Sequence, residues 1–484
     1  MNQTRPMKNE SFDAIVIGAG MSGMAAAIRL AMFDKKVVLI EKHVISGGLN
    51  SYYRRAKRNF DVGLHALTNF AGAKEKNKPL KKLLKQLRIP YSDLKLSEQE
   101  HSLISFPEHT LKFTNNIAAL IQEVTEKFPS QVDGFTQLIA HIEQFNDVSL
   151  EATYKSAKSV VRTFITDEKL LEMILCPLLI YGSAWEHDMD FSQFAIMFKA
   201  IYLEGFSRPE GGVRTIINLL LNKLKETGAD VRFRTGVQSI ELDSQGRASA
   251  VVTDKGDVLT APLIISSIGA PETQGLIKAG GNSTSAARVG QMSFVETIAI
   301  TNKKPQECNQ TATIIFYNDS DHYHYEKPDE LYDNKSAVIC FPNNFIHDDY
   351  EEGVLRVTLM ANFKKWQELL ASNKEQYKEE KEKAFAHSMK LMQKFMPGLS
   401  SQHLLYKDTF SPTTVKKYTS HDGGCVYGSP DKTRNGQTNY PGLVICGTDQ
   451  GFLGIIGSAL SGISMANLYG LQGFSQEPTQ AASL

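Results

Sequence analysis

The sequence predicts an α/β chain of two interleaved units. One is a parallel-sheet unit assembled from three separated segments, 1–70, 205–290 and 416–484. The other, an α+β unit with a mixed sheet and helices, comes from 71–204 and 291–415. Three observations predict this. AIVIG (14–18) feeds a glycine turn and a helix rich in Ala, Leu and Met. GLVICG (442–447) feeds another glycine turn and small-residue helix near the end of the chain. Between them, TIAI, ATIIFY, SAVICF and VLRVTLM read as strands, and KEQYKEEKEKAFAHSMKLMQKF reads as a long amphipathic helix.

A chain of 484 residues is too long for one simple core. With 42% hydrophobic and 22% charged residues it has the balance of a folded protein. Its net charge of zero excludes a nucleic-acid partner attracted by bulk charge. The cysteines at 176, 308, 340, 425 and 446 show no CxxC spacing, so neither a disulfide framework nor a zinc knuckle is expected. They suit a reducing, cytoplasmic compartment. MNQTRPMKNESF has no apolar h-region, so no signal peptide is expected. No apolar run reaches the length of a membrane span, and 171–185 and 212–224 read as buried helices.

The first element is the most specific. Gly18, Gly20 and Gly23 make GxGxxG directly after a buried strand. Gly18 permits the tight turn, Gly20 lets a pyrophosphate approach the backbone, and Gly23 lets the helix press on the strand. Met21 and Ser22 begin that helix, whose N–H groups point toward phosphate. KVVLIE (36–41) is the second strand, and its terminal Glu41 is placed to accept from ribose hydroxyls. Together these make a Rossmann-type dinucleotide site. Glu41 would repel a 2′-phosphate, which disfavours NADP and leaves FAD or NAD; Lys42 follows it.

Gly47, Gly48 and Leu49 come next, inside ISGGLNSYYRRAKRNFDVGLHAL. A Cβ-free turn here can lie against a second part of a long cofactor. With this segment the sequence resembles the FAD-containing oxidoreductases of the phytoene desaturase and amine oxidase superfamily. The resemblance implies FAD, held by the GxGxxG turn, the acid and the downstream Gly-Gly.

In the middle, KEKNKPLKKLLKQLR (74–88) carries seven basic residues, with Leu80, Leu83, Leu84 and Leu87 on one helical face. Such a helix either packs on its leucine side or lies on an anionic membrane, giving a peripheral contact. SRPEGGVRTIINLLLNKLKETGADVRFRTGVQSIEL (207–242) reads as a helix followed by strands, and two hairpin signals lead to the buried strand LIISSI (263–268). The resemblance places Val237 beside the adenine, pairing through its backbone. DHYHY (321–325) and the His187, Asp188, Asp190 group lack metal-site spacing, so no metal is expected.

NYPGLVICGTDQGFLGIIGSALSGISMANLYG (439–470) closes the cofactor site. Gly447 and Gly454 permit the turn, Asp449 is expected to accept a ribityl hydroxyl, and the N–H groups near Ile455 and Ile456 to face the flavin. GTDQGFLGIIGSALSG, FDVGLHAL (60–67) and YTSHDGGCVYGS (418–429) resemble the retinol saturase branch, the all-trans-retinol 13,14-reductases. Carotenoid isomerases share much of the pattern. The likeness is close over 12–70, 205–270 and 410–470 and weak elsewhere.

The resemblance implies hydride transfer at flavin N5 to or from an apolar isoprenoid, carotenoid or retinoid-like substrate. His65 and Tyr427 are the candidate proton-transfer side chains, and His65 is also a candidate structural partner of the flavin. Besides a saturase or desaturase, three readings stay open: a flavin amine oxidase, a polyene cis-trans isomerase, and a non-catalytic FAD-binding protein. No second GxGxxG lies between residues 70 and 430, and AGGNS (279–283) lacks the spacing. Electrons are therefore expected to pass through a carrier protein or quinone rather than a nicotinamide domain.

Overall fold

The computed structural model describes residues 8–147, 149–150, 153–278, 287–347 and 350–472. The AGGNS stretch lies outside them. A five-stranded sheet runs in the order Asp230–Arg232, Val37–Ile40, Ala14–Ile17, Leu263–Ser266, Leu443–Ile445, with every neighbouring pair parallel. The last four strands are buried along their whole length, as strands covered on both faces must be.

Their side chains alternate between two cores. Val16, Leu39 and Ile265 face the helices Met21–Ala31, Val213–Glu226 and Gly454–Met465. Ile15, Val38 and Ile264 face a four-stranded layer of Asn9–Ser11, Val258–Thr260, Ala248–Thr253 and Val237–Leu242. The first and last of those helices pack backbone to backbone: a Cβ on Gly462 would stand 2.0 Å from the Ser22 carbonyl.

A seven-stranded sheet carries the rest, in the order Leu404–Phe410, Ser293–Thr301, Gly353–Ala361, Ser336–Cys340, Ile314–Asn318, Ser102–Ser105, Thr110–Phe113. Only Ser102–Ser105 with Ile314–Asn318 is parallel. One face is covered by the helix Lys374–Phe395, through Phe385, Leu391 and Met392. The other packs on helices between 117 and 203, including Glu168–Gly182, which carries Pro177.

Two segments between the motifs take definite places. The basic helix is short, Pro79–Gln86, and Leu80, Leu83, Leu84 and Leu87 are buried in the parallel-sheet core. Burial of that face against the protein is the packed alternative, the core giving the leucines their apolar surroundings. DHYHY lies in a loop: Tyr323 and Tyr325 point inward while His322 and His324 are exposed. Gly454–Leu471 is long and apolar enough to cross a membrane, but half of it is buried.

Candidate flavin and substrate site

The glycine positions divide by geometry. Gly18 has φ +92°, and a Cβ there would meet the Ser267 hydroxyl oxygen at 2.7 Å. At Gly23 a Cβ would lie 1.9 Å from the Gly18 carbonyl oxygen, so the helix touches the turn. Gly20, the N-cap of Met21–Ala31, has no heavy atom within 4 Å of its Cβ position. Open space beside a helix N-terminus is where a phosphate group fits. Met21 and Ser22 are buried in the first turn behind it.

Gly47 and Gly48, at φ +109° and +58°, form the facing wall. The Gly47 N–H donates to the Ala19 carbonyl at 2.8 Å, and a Cβ on Gly48 would come within 3.5 Å of Gly20 Cα. The pair is therefore glycine both for its left-handed backbone and for the narrowness of the cleft. Leu49 continues the wall. Glu41 accepts from Ala19 N–H at 2.8 Å and His43 N–H at 2.7 Å, one bond per oxygen. Each oxygen keeps a lone pair for a hydroxyl.

The backbone after Asp230–Arg232 then pairs with Glu41, through Thr235 N–H at 2.9 Å, and leads to Val237 close by. Val237 does not line the cavity. Lys42 is exposed and turns toward Ser420, 3.4 Å away. Gly447, at φ +89°, passes the Ser22 hydroxyl, and Gly454, at φ +69°, starts the closing helix, so Gly454 and Ile455 reach the cavity. Ile456 packs in the core behind them.

Asp449 departs from expectation. Its carboxylate is buried and accepts from Ala270 N–H at 2.6 Å and Ser429 N–H at 2.8 Å, with the Lys432 ammonium 3.7 Å away. Thr448 lines the cavity instead. A carboxylate with these donors serves as a brace between three segments, and it does not line the cavity.

One cavity of about 740 Å³ connects Glu41, Gly48 and Leu49 with an inner chamber. The chamber walls include Ile180, Met197, Phe294, Val338 and Val426, with His65, Tyr181 and Tyr427 among them. Tyr427 donates its hydroxyl to the Ile180 carbonyl, and burial pushes its pKa up. That makes it a poor proton donor to a substrate, against the sequence expectation. The Tyr181 hydroxyl is buried with no hydrogen-bond partner among the described residues.

His65 is held by residues that local motifs do not reveal. Its Nε2 lies 3.3 Å from Glu296 Oε1 and 3.1 Å from the Thr358 hydroxyl. Glu296 also accepts from Thr358 and, at 2.7 Å, from Arg356 Nε. Arg356 donates onward to the Leu64 and Val62 carbonyls, at 2.7 Å each. A second buried pair, Asp61–Arg208, completes the frame, with Arg208 also donating to Tyr350 at 2.7 Å. Glu296 and Arg356 each stand alone in a fully buried nine-residue strand. A lone charge in an apolar run is the one signal that could have marked them.

Burial lowers the His65 pKa, and Arg356 adds to that, while Glu296 only partly offsets it. Burial would raise Glu296, but Arg356, His65 and Thr358 together hold it low. The sign of the pH effect follows. Below the ordinary imidazole value of 6.5 the unfolded chain binds a proton that folded His65 refuses. Its contribution to stability is complete above that value and is lost as pH falls through the lowered one. His65→Gln is expected to flatten the fall of the thermal midpoint on acidification below pH 6.5 relative to the wild type; parallel curves would contradict it.

The open space at Gly20, the close wall at Gly48 and the free lone pairs of Glu41 fit the pyrophosphate and ribose of FAD. The cavity beyond them leaves room for a ring system against Ile455.

Comparison with known proteins agrees. Prolycopene isomerase of Arabidopsis thaliana is 25% identical over 94% of this chain and 82% of its own length. The all-trans-retinol 13,14-reductase of Danio rerio is 23% identical over 93% and 85%. Its human counterpart matches over only 54% of this chain and 48% of its own length, at 25% identity. Among solved structures, an oxidoreductase from Methanosarcina mazei superposes with TM-score 0.66 at 16% identity, over 93% of this chain and 99% of that one. Putrescine oxidase bound to putrescine gives 0.61 at 15%, over 95% and 98%. The family model described as flavin containing amine oxidoreductase matches residues 21–468, and with the glycine cradle in place this chain belongs to that family as an FAD-dependent oxidoreductase.

Proposed function

We propose that the protein acts on a C=C or C–C bond of an uncharged apolar substrate of the polyene or isoprenoid kind. One observation carries this reading: every carboxylate lining the cavity is already engaged. Glu296 is bound by Arg356 and Asp408 by Tyr53 and Arg55, while Glu41 holds two backbone N–H groups and gives its remaining lone pairs to the ribose of FAD. The other charged lining residues, Arg54, Arg55, Lys381 and Lys417, are cationic. An ammonium substrate would find repulsion and no unpaired anion, whereas an apolar chain would cover Met197, Phe294 and Val338. This argues against amine oxidation despite the family's name. The names of the relatives, a carotenoid isomerase and retinol reductases, support a polyene.

Bound FAD supplies hydride acceptance or donation at N5. The chain's own contribution is the cradle that fixes the cofactor, the apolar walls that exclude water, and His65 beside the chamber. Electrons pass to or from a carrier protein or a quinone.

The test incubates FAD-loaded protein with all-trans-retinol, a cis-polyene and putrescine, and reads product mass. A change of two hydrogens on a polyene is expected. A new isomer of unchanged mass would move the assignment to isomerase, and turnover of putrescine alone would overturn it. In the same preparation NADH and NADPH are expected to bleach the flavin slowly under anaerobic stopped flow. Bleaching at tens per second, half-saturated at micromolar nicotinamide, would make it a self-sufficient reductase.

A further inference from the structure

We propose that His65 is held as the Nε2–H tautomer by Glu296, Thr358 and Arg356, so that Nδ1 is a proton acceptor facing the substrate chamber. The inference rests on the polyene reading for its catalytic meaning, but its geometry stands without it.

The donor count fixes the tautomer. Glu296 can only accept while ionised, and it takes hydrogen bonds from Arg356 Nε at 2.7 Å and from the Thr358 hydroxyl. The Thr358 proton is therefore committed to Glu296, and its oxygen can only accept from His65 Nε2, 3.1 Å away. Both groups facing Nε2 are thus acceptors, so Nε2 must carry the hydrogen. A neutral imidazole then presents a lone pair at Nδ1. No described residue hydrogen-bonds Nδ1, and His65 lines the chamber.

The pairing that builds this cluster is a matter of strand register. Glu296 sits directly opposite Thr358, and Arg356 opposite Ile298 on the same two strands. The Arg356 guanidinium is anchored to the Val62 and Leu64 carbonyls, which hold the backbone on either side of Gly63 and just before His65. The remaining groups around the ring are the Asp61–Arg208 pair, Tyr181 with ring centres 6.4 Å apart, and the Cys340 thiol against the His65 carbonyl. The two carboxylates and two guanidiniums balance, so the site favours an uncharged ring.

Chemically this makes His65 a base in the dehydrogenation direction. A substrate C–H proton moves to Nδ1. The electron pair stays on the substrate and forms the new π bond as a hydride leaves the neighbouring carbon, oxidised flavin being the two-electron acceptor by class. The imidazolium, its charge only partly offset by Glu296, is short-lived and returns its proton to solvent. In this assignment His65 is the catalytic residue; Glu296 and Thr358 are positioning residues.

The test reads the tautomer directly. FAD-loaded protein labelled with ¹⁵N-histidine is examined by long-range ¹H–¹⁵N NMR at pH 7.5, with the His65 signals identified by their loss in His65→Gln. A protonated Nε2 and an unprotonated Nδ1 are expected. In Glu296→Gln the amide oxygen is expected to turn to Arg356 and its NH₂ to His65, reversing the tautomer. Thr358→Val keeps both charges, removes the bridging hydroxyl and is expected to give a mixed population. A wild-type Nδ1–H tautomer or imidazolium overturns the proposal, as do unchanged spectra in the variants. On a turned-over polyene, His65→Gln is expected to lower kcat by about 10²-fold or more. The NMR result needs no substrate, so a wrong tautomer and a wrong substrate class give different failures.

Discussion

Gly20→Val is expected to give folded protein that has lost FAD, and Gly23→Ala protein that does not fold. The two glycines sit three residues apart in one turn, yet their surroundings are opposite. A Cβ at Gly20 meets nothing within 4 Å, and the backbone there, φ −72° and ψ 178°, is one that valine adopts freely. The added methyl groups fall only in the space beside the helix N-terminus, where pyrophosphate must lie. At Gly23 the Cβ would stand 1.9 Å from a carbonyl oxygen, and only backbone movement between strand and helix could relieve it. Absorbance of the purified proteins near 450 nm and their far-UV circular dichroism separate the cases. Full flavin occupancy in Gly20→Val, or a native Gly23→Ala, would contradict this account of the turn.

Arg208→Met is expected to lower stability by about 3–5 kcal/mol, because it leaves Asp61 buried without its partner. Asp61 is more than a charge partner. It accepts from Val213 N–H at 3.2 Å, and a Cβ on Gly212 would fall 2.3 Å from its carboxylate. It thereby ties the FDVGLHAL segment to the start of the helix Val213–Glu226. Adding Asp61→Asn to Arg208→Met removes the stranded charge, and the double variant is expected to be more stable than Arg208→Met alone. Denaturant midpoints of the three proteins decide it. A double variant weaker than Arg208→Met would mean that the carboxylate, and not the pair, organises this junction.

The cofactor half of the molecule was legible because its information is local. Strand, turn, helix and second strand fall within residues 14 to 41, and each glycine there answers a constraint set by its immediate neighbours. The Gly47–Gly48 pair was readable for the same reason, since it folds straight back onto Gly20. Where the sequence reading stopped short, two outcomes were locally equivalent. The leucine face of Pro79–Gln86 has the same spacing whether it meets lipid or protein. Asp449 follows a buried strand whether its carboxylate turns to a ribityl chain or to the N–H groups of Ala270 and Ser429, and only the return of those distant segments selects the second.

The sequence by itself therefore determined the parallel-sheet unit, the cofactor class and the segment that carries His65. What only the tertiary structure decided is the environment of that histidine. Glu296 lies 231 positions from His65 and Thr358 lies 293. Their meeting depends on the register of two antiparallel strands, in which a shift of one residue would turn Glu296 to the opposite face. Motif spacing records what a short segment can hold. A buried proton site made of charges from four separate segments is set by packing, where Arg356 and Glu296 are tolerable only because each neutralises the other.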